Sequence, residues 1–228
     1  MFYLQKNRKL FYECDSCQEA IKIYDKSGQE HVTNHFDTMT SWVEIAKSFL
    51  GYGYRVSFNK MYDDYSNSGN EEEWVKNRIK SNYPGTIDDI KIDDAFDAFL
   101  KFSGKIYSLG NLIPVGYNPG RIRRNDRWDV KLNWIYEIVF LKKKMDNCDN
   151  RKNAWNTFIG KMSWEEYIDK YFLNDYVKEK DKRPLDPIEF PQKPCVDTWI
   201  KFLSYYTDKI EKREKRVLKK INLQNIAD

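Results

Sequence analysis

The sequence predicts a mainly α fold with a small β component (α+β). From about residue 42 onward, apolar residues recur at helical spacing in most segments, whereas alternating, strand-like runs are few and short. The N-terminal segment differs: Cys14, Cys17, His31 and His35 spell C-x2-C-x13-H-x3-H, inside the spacing window of a tetrahedral zinc site. The expected architecture is therefore a zinc-stapled N-terminal ββα-like unit followed by an α-rich body. Residues 1–60 form the zinc-binding unit, and residues 71–228 form a body with a basic arginine loop and a long C-terminal helix.

Zinc takes four soft or borderline ligands at tetrahedral corners, and structural sites use protein ligands alone. Two residues between Cys14 and Cys17 let one tight turn present both thiolates to the same ion. His31 and His35, the only histidines of the chain, stand four apart and share a helical face. Between the pairs, 20–24 reads as a short strand and 25–28 as a turn, while 10–12 supplies the other strand. Unmetallated thiols and a redox Cys-x-x-Cys are the competing readings. The redox one leaves the histidine pair unexplained and lacks a following βαβ pattern. A catalytic zinc is disfavoured, because four protein ligands leave no position for water.

Residues 10–37 resemble a C2H2-type zinc finger, with Tyr12 two residues before Cys14 where such fingers carry an aromatic. Two framework positions depart from that pattern: Ile21 follows the second cysteine, and Gly28 precedes the first histidine. The residues that would face bases, including Ser27, Gly28, Gln29 and Glu30, bring little positive charge. That lack of charge points to a structural zinc module, or one that contacts another protein, rather than a DNA reader.

Along the body, Thr40 and Ser41 cap a helix running through Trp42, Ile45, Phe49 and Leu50, with Gly51 and Gly53 stopping it. A short strand is expected at 54–58 and a loop at 63–70. A helix over 71–81 opens on three glutamates that suit its N-terminal dipole. An amphipathic segment spans 87–102, and a strand spans 106–115. Trp128, Leu132, Ile135 and Val139 mark a long helix, and shorter helices are expected at 151–160 and 164–172. After a proline-rich span, a final helix covers 196–221 on a stripe of Val196, Ile200, Leu203, Ile210 and Val217. No internal repeat is evident.

Aromatic residues make up 16% of the chain, too many for a disordered protein. No signal-peptide pattern opens the sequence and no apolar run is long enough for a bilayer, so a reducing cytoplasm without membrane association is expected. Cys148 and Cys195 should then be free thiols. The net charge of +4 is unevenly spread: residues 100–228 hold 27 basic and 18 acidic side chains, a balance of +9. An anionic partner is expected to meet that part of the chain.

The densest polar cluster runs from Gly110 to Asp129. A strand end, a glycine-rich loop, four arginines and a helix start fall within twenty residues. Asn118, Arg121, Arg123, Arg124 and Arg127 are the candidate nucleic-acid or anion-binding residues, since guanidinium forks and a helix N-terminus both suit phosphate. Tyr117 and Trp128 offer stacking faces. A solvated charged face is the plain alternative. The segment is no P-loop, because the glycine-lysine-serine/threonine ending is missing. Asp88, Asp89, Asp93, Asp94 and Asp97 form an acidic helix face that either holds magnesium or is simply solvated.

Gly110, Asn111, Pro114, Asn118, Arg121, Asp126, Arg127, Trp128 and Asp129 match a G-N-x-x-x-P…N…R…D-R-[FW]-D pattern. That pattern, and a tail through Asp175, Tyr176, Pro194, Arg213 and Arg216, resembles an uncharacterised bacterial and phage family over residues 95–220. The resemblance implies a phage or mobile-element setting and no known activity. Gly110-Asn111-Leu112 with a later asparagine also looks like part of some HNH-type endonucleases, which require a free histidine base. The expectation is a non-enzymatic, zinc-containing cytoplasmic binding protein, an inhibitor or effector in phage–host conflict, engaging nucleic acid or a nucleoprotein machine. A nuclease or nucleotide-processing toxin, and a purely protein–protein interaction module, are the alternatives.

Overall fold

The computed structural model describes residues 36–38, 42–53, 56–84, 88–106, 108, 110–114, 132–133, 135–141, 161–186, 188, 191 and 195–225. It is mainly helical. The helices are α1 (Trp42–Phe49), α2 (Phe58–Ser66), α3 (Glu71–Asn82), α4 (Asp89–Lys105), α5 (Trp164–Lys170) and α6 (Val196–Asn225), with a π-helical turn at Ile135–Phe140 and a 3-10 turn at Asn174–Tyr176. Among the described residues, strand is limited to β1 (Phe36–Thr38) and β2 (Leu112–Pro114). They pair antiparallel with Asp37 opposite Ile113. The chain divides into two compact units.

The first unit holds residues 41–106 together with 189–208, which include the first half of α6. Phe49 on α1 is its hub. The ring stacks on Phe99 of α4 at 5.1 Å and meets Trp199 of α6 edge-on at 5.6 Å. Burying one such ring stabilises the fold by about 2–3 kcal/mol. The polar edges of this core are satisfied: Trp42 Nε1 donates to Ser103 Oγ at 2.7 Å, and Tyr83 OH donates to the Phe49 carbonyl at 3.1 Å. Burial pushes the Tyr83 phenol well above the ordinary tyrosine range.

Gly51 ends α1 with φ +72°, the left-handed conformation that favours glycine. A Cβ there would also lie 2.0 Å from Asn82 Oδ1. The Leu50 carbonyl just before it accepts both Nε and Nη2 of Arg78, at 3.0 and 2.7 Å.

Of the strand expected at 54–58, the described residues 56–58 are not strand. Ser57 instead caps α2, its hydroxyl accepting the Lys60 N–H at 3.1 Å, and Phe58 is already helical. Five residues of mixed apolarity cannot separate strand from helix start, and the serine cap decides it. Helix α2 also occupies the beginning of the loop expected at 63–70, which shrinks to the turn after Ser66.

The described residues of the second unit are 36–38 and those that fall within 108–188 and 209–225. Trp164, Tyr167 and Ile168 of α5 and its capping residue Tyr171 are buried, with Phe140 5.0 Å from Trp164 and 5.4 Å from Tyr167. A capping box starts α5: Ser163 Oγ accepts the Glu166 N–H, and the Glu166 carboxylate accepts the Ser163 N–H at 2.7 Å. Those hydrogen bonds hold the Glu166 carboxyl below the usual carboxylate range.

Of the strand expected over 106–115, Leu112–Pro114 alone is strand among the described residues; Ile106 closes the turn after α4. Of the long helix expected on Trp128, Leu132, Ile135 and Val139, the described residues are α-helical at 132–133 and a π-helical turn at Ile135–Phe140, with Leu141 N–H reaching the Tyr136 carbonyl five residues back at 2.9 Å; Trp128 lies outside the described residues. Leu132, Ile135 and Val139 are nevertheless buried.

Candidate nucleic-acid interface

Helix α6 changes character along its length. Val196–Asp208 carries two aspartates and one lysine, whereas Lys209–Asn225 carries seven basic and two acidic residues, a net +5. Its apolar stripe runs Val196, Trp199, Leu203, Tyr206, Ile210 and Val217, all buried; Ile200, expected on the stripe, is only half-buried. Arg213 falls between Ile210 and Val217 on that stripe and is 0% exposed.

The Arg213 guanidinium has a defined task. Nε donates to the Tyr171 carbonyl at 3.0 Å, and Nη1 donates to the Gly110 carbonyl at 2.9 Å. Tyr171 caps α5, and the next residue, Phe172, sits at φ +57°. The fork therefore ties α6 to the end of α5 and to the turn before β2. At Gly110 the chain touches α6 so closely that a Cβ would stand 2.0 Å from the Ile210 carbonyl oxygen and 2.9 Å from Glu214 Cβ. Asn111, next in line, is fully buried, with its N–H donating to the Ser108 carbonyl at 2.9 Å.

The opposite face of α6 in this unit is basic and open. Lys212, Lys215, Arg216 and Lys219 are exposed. Arg216 Nη2 is engaged by Asp175 Oδ1 at 2.9 Å, and Lys209 Nζ donates to the Asp175 carbonyl at 2.6 Å. Lys215 and Lys219 have no hydrogen-bond or ion-pair partner among the described residues. Standing four apart, they point the same way, about 6 Å apart along the axis.

The zinc ligands predicted from spacing, Cys14, Cys17, His31 and His35, lie outside the described residues, as do Asn118, Arg121, Arg123, Arg124 and Arg127. Among the described residues no group of three or more His, Cys, Asp or Glu could hold a metal ion. Two carboxylates of the acidic run at the start of α4 have partners within the fold. Asp88 caps the helix by accepting the Lys91 N–H at 2.8 Å, and Asp93 pairs with Lys76 at 2.7 Å. Cys195 is a free, exposed thiol. No helix among the described residues is long and apolar enough to cross a membrane.

The chain matches no protein-family model, no curated protein and no solved structure. Function is therefore argued from the residues themselves.

Burial of Arg213 was detectable in the sequence, since positions 210, 213 and 217 continue the apolar stripe. The close approach at Gly110 had no such signal. Glycine before a strand also suits an ordinary turn.

Proposed function

We propose that the protein binds nucleic acid through the basic second half of α6, acting together with Arg121, Arg123, Arg124 and Arg127. The observation that carries this reading is the pair Lys215 and Lys219, exposed and without a partner among the described residues on a segment of net +5. Phosphate backbones are the polyanions that such open lysines neutralise, with release of condensed counterions. Cys14, Cys17, His31 and His35 hold a structural zinc in this account, and catalysis has no part in it. One zinc per chain by elemental analysis of untagged protein, lost in Cys14→Ser, is the expected metal content. The setting is a phage or mobile element in a bacterial cytoplasm.

The test is binding of a fluorescent 20-base-pair duplex, followed by anisotropy between 50 and 200 mM salt. Affinity should fall steeply across that range, and Lys215→Glu with Lys219→Glu should weaken binding at every salt concentration. Polyglutamate at equal charge should compete poorly. Absence of duplex binding at 50 mM salt, with polyglutamate bound, would replace this reading with an acidic protein partner.

A further inference from the structure

We infer that the Lys209–Lys219 stretch of this face contacts phosphates and not base edges, so that its contribution to binding is independent of sequence. The inference rests on the nucleic-acid reading above and specifies the ligand class of the same site. Between Lys209 and Lys219 the helix contains no Asn, Gln, Ser or Thr, the neutral side chains that read base edges. Its one exposed arginine, Arg216, is held by Asp175, and its other arginine, Arg213, is buried under the helix with Nε and Nη1 spent on backbone carbonyls. What remain open among the described residues are Lys215 and Lys219, and a lysine is a compact point charge on a flexible stem, with three rotatable donors and no planar fork. Lys215 and Lys219, about 6 Å apart along the axis, can each take a separate phosphate of one strand. Phosphate contacts of this kind position a protein and carry no sequence information directly.

The experiment compares the full-length protein with its Lys215→Gln/Lys219→Gln variant on two duplexes of equal length, one G·C-rich and one A·T-rich. Lysine can also reach guanine, so the two duplexes separate the modes. The expected result is the same fold-loss on both duplexes, within about twofold. The slope of log K against log salt should become shallower by about 1.8 for the two lost contacts. A fold-loss at least tenfold larger on the G·C-rich duplex would overturn phosphate-only contact while leaving nucleic-acid binding in place. Failure of the wild-type protein to bind either duplex would overturn both.

Discussion

Arg213→Ala should destabilise the second unit by about 4 kcal/mol. Truncation strips donors from two carbonyls, those of Tyr171 and Gly110, and leaves a void where the largest fully buried side chain stood. Each orphaned buried carbonyl costs about 1–3 kcal/mol, and the lost packing adds to this. The cost is reduced because the variant no longer desolvates a guanidinium. For a chain of this size the loss corresponds to a drop of roughly 10 °C in the midpoint of thermal unfolding, measured by circular dichroism. Arg213→Lys should recover little of it, since an ammonium cannot reach two carbonyls with a planar fork. An unchanged melting temperature would mean that Arg213 is not the tie described here.

Gly110→Ala should be nearly as damaging, by about 3 kcal/mol, for a different reason. The added methyl would meet the Ile210 carbonyl oxygen at 2.0 Å, and that atom belongs to the α6 backbone, which cannot swing aside like a side-chain end. Either the turn before β2 or the helix must shift, and overpacking of this kind costs about 1–3 kcal/mol or more. A shift would also lengthen the Arg213–Gly110 hydrogen bond, so the two variants should be less than additive when combined. Gly53→Ala is the matched control: nothing lies within 4 Å of a Cβ there, and its melting temperature should stay close to wild type.

These two residues bear on how the G-N segment is understood. Gly110 and Asn111 were grouped with the downstream arginines by sequence proximity, as parts of one anion-binding loop. The structure gives both a packing role: Gly110 because only hydrogen fits against α6, and Asn111 because it is wholly buried. Arg213 is likewise a positive charge withdrawn from any ligand. Charge counted along a sequence does not distinguish a guanidinium spent on backbone carbonyls from an open ammonium, and that distinction sets what the helix can bind.

Helical elements with strong caps or long stripes were legible. The glutamate-rich start of α3, the stop at Gly51 and the extent of α6 follow from local chemistry that the tertiary fold does not override. What escaped was decided by competition over short distances. Ser57 starts a helix at the end of an expected strand, and a fifth-residue hydrogen bond at Leu141 makes a π-turn of 135–140 while Ile135 and Val139 stay in the core. The apolar pattern records burial, and several backbone geometries satisfy the same burial. Of the candidate site, the basic character of the C-terminal helix was legible from charge alone. Which of its cations stay open was not, because that depends on Asp175 and on two carbonyls far away in sequence.

The central claim is that α6 separates its cations, with Arg213 holding the fold and Lys215 and Lys219 holding the ligand. The most direct measurement is a side-by-side assay of Arg213→Met and Lys215→Gln/Lys219→Gln, reading thermal midpoint and duplex affinity on each, with affinity taken well below the lower midpoint. The account predicts opposite losses: the Arg213 variant melts several degrees lower and binds as wild type, while the lysine variant melts as wild type and binds with a shallower salt slope. A lysine variant with unchanged affinity, or an Arg213 variant that keeps its midpoint and loses binding, would contradict it.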